Sequence, residues 1–421
     1  MTSLATREDR SVPSLRLPPL PVALVTLLML ASTVVWRRGD IFSGGLDVVV
    51  VGKAALSVVA LALAYVSATS RRTRRRRLGT GSLWFLGILL MASIFGALTY
   101  GTLIASGVVA VRVLIVALTV FLLLRAAPPH QVFAGVVWSC GAVAVLAAVT
   151  APGTALTGRL EGGLPPLNPN EMAMLASIVV VAVAWRIALG ETHWYLWTCA
   201  AGYFGIIWLT GSRTALLMLV AAVVVMVLQM RRPSPGLVVT GLFAAAAAVI
   251  AAAATNGLTS FLERDGTGTS TLDSRFIAWS ATRTWAETIW QSLFGGGLSV
   301  KLIPVAGQWW DMQLLDSSWV SALVQAGAVG LICCAVWVLW TFRGVRHVQR
   351  QYRILFSGLM VYLIGRSFLE SGLFDATPPF ILFMMVSLLS EGGSRAAQGP
   401  GRHDQPTPPV ATRPDGTSVP A

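Results

Sequence analysis

Two short stretches, Thr210-Gly211-Ser212-Arg213 and Leu272-Asp273-Ser274-Arg275, each set an arginine directly after a serine. A guanidinium is a fixed fork of donors that matches phosphate oxygens and stays charged in apolar surroundings. Two such forks would clamp a pyrophosphate, with Ser212 beside them, each charge-assisted hydrogen bond contributing about 1.5 to 3 kcal/mol net. The plainer reading of Arg213 is a side chain that snorkels to a membrane interface, and the two readings stand side by side. Arg159, in Thr157-Gly158-Arg159-Leu160-Glu161-Gly162-Gly163, is a further contact for phosphate or sugar. That segment runs on into Leu167-Asn168-Pro169-Asn170-Glu171, where Pro169 bends the approach and Asn170 is placed to cap the next helix.

A transfer reaction also needs a group to take a proton. Asp311 and Asp316 lie just before Ser317-Ser318-Trp319, where a carboxylate would accept the proton of an attacking sugar hydroxyl or simply sit at a solvated helix N-terminus. Gly295-Gly296-Gly297 lets backbone approach a ligand closely, or makes a turn. Lys53, Arg112, Arg366 and Glu370 fall inside apolar runs, where a charge is costly unless paired or facing a cavity. Arg366 and Glu370 are spaced to pair along one helix, whereas Arg112 has no such neighbour and is assigned to an internal polar site. The four histidines, His130, His193, His347 and His403, fall in or beside segments assigned to the cytoplasm. Cys140, Cys199, Cys333 and Cys334 lie in apolar runs, show neither a disulfide framework nor a zinc spacing, and read as packing residues.

The elements that must position these residues follow from composition. The chain has 421 residues, 55% hydrophobic and 12% charged, and its mean hydropathy is +0.72. Lipid is the solvent that suits such a chain. A bilayer core about 30 Å thick takes roughly 20 apolar residues per helix, and non-alternating runs of this kind exclude a barrel. The net charge of +13 would suit a nucleic-acid binder, but the basic residues cluster in loops on one side, so no nucleic-acid partner is expected.

By apolar length the chain reads as an all-α, polytopic transmembrane bundle of about 12 spans, near 17–36, 46–68, 82–99, 103–124, 131–150, 171–188, 194–210, 213–230, 236–255, 317–340, 354–371 and 378–390. The first is expected to be a membrane anchor, not a cleaved signal peptide. The cluster Arg71, Arg72, Arg74, Arg75, Arg76 and Arg77 fixes its loop inside. Alternation then places the basic segments Arg7 to Arg16, Arg125, Arg231 with Arg232, and Arg343 to Arg353 inside too, an independent check on the count. Arg37 and Arg38 land outside and have no account beyond a phosphate contact. Three outer segments remain as working parts: 151–170, the turn around Gly211 to Arg213, and the loop 256–315, too long for a simple connector.

Within that loop, Arg275 to Leu293 reads as one helix on the outer membrane surface. Ala278, Trp279, Trp285, Ala286, Ile289, Trp290 and Leu293 share an arc opposite Arg283, Glu287 and Gln291, while Phe276 and Ile277 break the pattern. The expected organisation is a basic cytoplasmic N-terminus at 1–16, a membrane domain at 17–391 and a disordered cytoplasmic tail at 392–421.

The ordered set Gly158-Arg159 with Leu167-Asn168-Pro169-Asn170, Gly211-Ser212-Arg213-Thr214-Ala215, Ser274-Arg275 with a following tryptophan, Gly295-Gly296-Gly297, and Asp316-Ser317-Ser318-Trp319 leading to Gln325-Ala326-Gly327 resembles the O-antigen ligase and O-antigen polymerase family of bacterial membrane glycosyltransferases. The resemblance runs from about Arg159 to Leu331. It implies transfer of a glycan from a polyprenyl diphosphate to a glycan or lipid acceptor hydroxyl at the outer face of the cytoplasmic membrane, without nucleotide sugar, metal or cofactor. Arg213 and Arg275 would hold the diphosphate as it leaves, the polyprenyl tail would lie among the spans, and flippase and chain-length proteins would be partners. Ligases of the family carry a histidine near the end of the long loop, and Asp316 stands at the matching position. That difference leaves polymerases and related capsule or exopolysaccharide enzymes open.

Two other classes compete. A metal-dependent transferase using polyprenyl monophosphate sugars would use acidic residues of the first outer loop, here Asp40 and Asp47. A transporter would show repeated halves or matched helix breaks, and neither is visible.

Overall fold

Proline starts several of the helices that the apolar runs demand. It locks φ where the first turn has no use for an N–H, and Pro129, Pro169 and Pro378 open three of them. The computed structural model describes residues 17–37, 47–70, 77–230, 271–305 and 312–391. Its helices are α1 (Leu20–Thr33), α2 (Val48–Thr69), α3 (Gly81–Tyr100), α4 (Leu103–Ala126), α5 (Pro129–Val149), a single turn α6 (Thr154–Thr157), α7 (Pro169–Ala188), α8 (Trp194–Leu209), α9 (Arg213–Leu228), α10 (Thr271–Trp285), α11 (Ile289–Phe294), α12 (Ser318–Val345), α13 (Arg350–Ser367) and α14 (Pro378–Ser390). Six of them, α2, α3, α4, α5, α7 and α12, are long and apolar enough to cross a membrane, and α1, α9 and α14 are shorter apolar helices. The chain is a helical, membrane-embedded protein. The run 236–255, the loop residues 256–270, Arg38, Asp40, Asp311, the Arg71 to Arg76 cluster, Arg231 and Arg232, the N-terminus and the tail lie outside the described residues.

Helices α7 and α14 form the centre. Every residue of α14 is buried, and α7 packs against α5, α8, α9 and α13. Helix α2 is at the rim, touching α1 and α4 through Ser57, Ala60, Ala64 and Ala68, with Val51, Val58, Tyr65 and Val66 turned outward.

Loops expected on one side meet in space. Leu160 N–H donates to the Leu209 carbonyl (2.9 Å), Ser318 N–H to that of Glu370 (3.2 Å), and Gly297 N–H to that of Gln325 (3.0 Å). At the opposite end Glu391 caps α3, accepting from Gly81 N–H (3.0 Å), Ser82 N–H (2.7 Å) and the Ser82 hydroxyl.

The outer-loop helix departs from expectation. It is two helices, α10 and α11, because Thr288 takes an extended conformation and its hydroxyl accepts from Gln291 N–H (3.1 Å), while the Gln291 side-chain oxygen Oε1 accepts from Glu287 N–H (2.8 Å). Thr288-x-x-Gln291 is a capping-box sequence. The expected apolar arc therefore splits. Ala278 packs into a small core with Val300, Ile303, Val305, Leu315 and Val324, and Trp279 and Trp285 cover it, whereas Ile289, Trp290 and Leu293 stay exposed. That core is floored by two short strands, β1 (Leu302–Pro304) and β2 (Met312–Leu314), antiparallel with Ile303 opposite Gln313. This hairpin adds strand to a fold that the apolar runs describe as all helix.

The Gly295-Gly296-Gly297 segment inserts against a break in α12. Gly327 has φ +65°, which interrupts the helix, and Gly296 and Gly297 donate to the carbonyls of Val324 (2.8 Å) and Gln325 (3.0 Å). A Cβ on Gly297 would lie 2.2 Å from the Ser106 hydroxyl, and one on Gly327 2.2 Å from the Leu293 carbonyl carbon, so neither position admits a side chain.

Candidate functional site

Side chains from three helices meet at one carboxylate, that of Glu370: Asn170 of α7, Arg275 of α10 and Arg366 of α13. Glu370 lies just past α13, where its Oε1 accepts from the Asn170 amide (2.7 Å) and from an Arg275 Nη (3.0 Å). Its Oε2 faces Arg366 at 3.9 Å, an ion pair beyond hydrogen-bond length. Arg275 reaches from α10 and also pairs through Nε with Asp316 Oδ2 at 3.6 Å. Arg159 completes the chain: Nη donates to the Asn170 amide oxygen (3.0 Å) and Nε to the Thr210 carbonyl (2.7 Å). The side chains of Arg275 and Glu370 are each 14% exposed, Arg366 7% and Asp316 34%. Charges this dry interact strongly, and each would be costly without its partners.

Asn170 reaches Glu370 because it is not the helix cap. Asn168 takes that position, its side chain accepting from Glu171 N–H (2.8 Å), and Asn170, two residues on, is left to the network. The capping expectation for Asn170 is corrected accordingly: the helix begins two residues earlier than the expected span, at Pro169, so Asn168 holds the extended conformation that capping requires.

The other candidates sort by position. Ser212 is buried ahead of α9, and Arg213 opens that helix with its side chain exposed, three residues beyond the carbonyl that Arg159 holds. Gly211, at φ +60°, lies against the Arg159 side chain, so the turn carrying Arg213 packs on the network. Gly295 and Gly297 belong to the stitch on α12 rather than to the charged network. Arg112 is about two and a half turns into α4, where its Nη donates to the Ser32 carbonyl (2.7 Å) and its Nε has no hydrogen-bond partner among the described residues. It belongs to a second polar group, in which Lys301 grips Asp375. Burial works against ionisation of Asp375, but Lys301 and, more weakly, Arg112 hold its carboxyl below the usual range.

No family model and no curated protein sequence matches this chain.

Asp316 is tuned in the direction a base needs. Burial pushes its carboxyl above the ordinary aspartate range, and Arg275 pulls it only part of the way back. A carboxylate with a raised pKa holds a transferred proton better than an exposed one. Asp47, by contrast, is committed to structure: it caps α2 through Val50 N–H (2.7 Å) and pairs with Arg37 at 3.3 Å. That pairing also accounts for Arg37.

Sequence reading missed the weight of Glu370 and all of Glu171. An acidic residue four positions after Arg366 reads as a local pair, and nothing in the pattern tells that Asn170 and Arg275 share it. Lys301 and Asp375 carried no signal, since isolated charges in loops are ordinary.

Proposed function

We propose that this protein transfers a glycan from a polyprenyl diphosphate to an acceptor hydroxyl at the outer face of the cytoplasmic membrane, as a polymerase or ligase of the O-antigen type. The observation that carries this reading is the network in which Arg275 and Arg366 pair with Glu370 and Arg159 joins it through Asn170, with Asp316 beside Arg275, at one end of a membrane-embedded bundle. A soluble phosphate enzyme would have no use for such a setting, whereas a donor with a polyprenyl tail needs a phosphate site within reach of lipid.

In the reaction the acceptor oxygen bonds to the anomeric carbon as the bond from that carbon to the phosphate oxygen breaks. The diphosphate leaves with the electron pair and is held by Arg213 and Arg275, with Arg159 and Ser212 alongside. The acceptor proton passes to Asp316. Donors fixed where negative charge develops lower the barrier more than equal donors in water. In the resting state Glu370 holds Arg275 in place of the phosphate, which keeps the guanidinium oriented and lets the dianion compete for it.

The proposed topology has about twelve spans with both termini in the cytoplasm. It puts the charged network outside and the arginines of the α4–α5 and α12–α13 connections inside, as the distribution of basic residues favours. The experiment is to compare the length of glycan left on polyprenyl diphosphate in cells with and without this chain. Single repeat units accumulating without it mark a polymerase, and long finished chains mark a ligase. An unchanged profile overturns the reading, and loss of activity on chelation would turn it toward the metal-dependent class.

A further inference from the structure

Arg366, which faces Glu370 Oε2 across 3.9 Å, also lines a cavity of about 70 Å³ together with Glu171, Ser371, Leu167, Met174 and Pro378 among others. At about 15 Å³ of such volume per water, it has room for four or five water-sized groups. Glu171 Oε2 is buried here with no hydrogen-bond partner among the described residues. Arg366 is almost wholly buried, and its 3.9 Å pairing with Glu370 is too long to use a donor. A buried carboxylate oxygen without a hydrogen-bond partner among the described residues, lining the same cavity as a buried guanidinium, marks a place where a ligand supplies one.

The charges that act on Glu171 are Arg366, Lys53 and Glu370. Two cations and two carboxylates, Glu370 among them, sum to zero. A phosphate entering the cavity would meet two carboxylates. A hydroxyl both accepts from a guanidinium and donates to a carboxylate, and the apolar walls of Leu167, Met174 and Pro378 suit the carbon face of a sugar ring.

We infer that the Glu171–Arg366 cavity is a subsite for an uncharged sugar hydroxyl, the acceptor end of the glycan, with Glu171 accepting its hydrogen bond and Arg366 donating to its oxygen. The assignment rests on the glycan-transfer reading above. Glu370 then links the two parts of the site, anion recognition by Arg275 and Arg159 and polyol recognition by Arg366 and Glu171.

The test is thermal stabilisation of the full-length protein in lipid nanodiscs by neutral monosaccharides (glucose, galactose, N-acetylglucosamine and rhamnose) and, separately, by sodium pyrophosphate. At least one sugar is expected to raise the unfolding temperature saturably. Glu171→Gln should raise the half-saturating sugar concentration about tenfold or more while keeping the pyrophosphate response, and Arg275→Ala should do the reverse. Met174→Phe, which fills the cavity without touching a charge, should abolish the sugar response and serves if Glu171→Gln fails to fold. No stabilisation by any sugar, or a sugar response untouched by both cavity variants, overturns the inference. Loss of the pyrophosphate response in Glu171→Gln would make the cavity an anion site and overturn it as well. If the sugar results hold but Arg275→Ala keeps its pyrophosphate response, the subsite stands and the transfer reading falls.

Discussion

The two ends of the bundle carry arginines of opposite character. At one end Arg77, Arg343, Arg346 and Arg350 are exposed, and Arg186 pairs with Glu191 five residues away. At the other, Arg275 and Arg366 are drawn inward onto a shared carboxylate, Glu370, and Arg159 is joined to it through Asn170, which meets Glu370 across 200 residues of chain. Exposed arginines need only a side of the membrane, and their number matters more than their identity. Inward arginines need particular partners, and a helix end to supply each one. The difference teaches that the arginines of one end are solvated while those of the other are held by particular partners, and under the proposed function the first set serves topology and the second chemistry.

The largest expected effect comes from removing the shared carboxylate. Glu370→Ala removes the carboxylate between Arg275 and Arg366, leaving Arg275 only its 3.6 Å pair with Asp316 and Asn170 without its acceptor, and should cost about 3 to 5 kcal/mol, read as thermal unfolding in detergent. A loss below about 1 kcal/mol would mean that water already screens the cluster. Next, Arg275→Ala and Arg213→Ala should each lower transfer by about a hundredfold or more while leaving the protein inserted. Near-normal turnover in both would remove the chemical half of the comparison.

Glu391→Ala sharpens the contrast from the opposite end. It uncaps α3 at two backbone N–H groups and should cost about 1 to 2 kcal/mol, with transfer per folded molecule unchanged. Asp316 gives a pH signature. As the proposed base it must be ionised, so turnover should fall with acid at a pH above the ordinary aspartate value of 3.8, and Asp316→Asn should remove that limb. The sign for stability is opposite: with the folded pKa raised, its contribution is present below 3.8 and is lost as pH rises through the raised value. Smallest of all, Arg343→Ala or Arg350→Ala should move stability by no more than about 0.5 kcal/mol and leave transfer intact.

Much of the architecture was legible because lipid imposes a length on each apolar run, and because loops that alternate in sequence must alternate in space. Arg159, Arg275 and Asp316 were legible as charges beside membrane ends. What joins them was not. The partner of Asn170 is a residue that a local rule assigns to Arg366, and cap choice between Asn168 and Asn170 turns on two residues of helix start. The break before α11 was readable in Thr288 and Gln291, but the tryptophan arc running across it hid the signal. Glu171 was hidden by its own helix, since glutamate in a first turn needs no further explanation.

The stitch of Gly296 and Gly297 onto the broken turn of α12 has a kinetic consequence. These two amides are outside any helix, yet their acceptors are carbonyls within the bundle, so they should exchange with deuterium as slowly as the interior of α12 and much more slowly than the exposed turn at Gly153. The outer loop would then fall into two exchange classes, with its glycine-rich base behaving as part of the membrane helices.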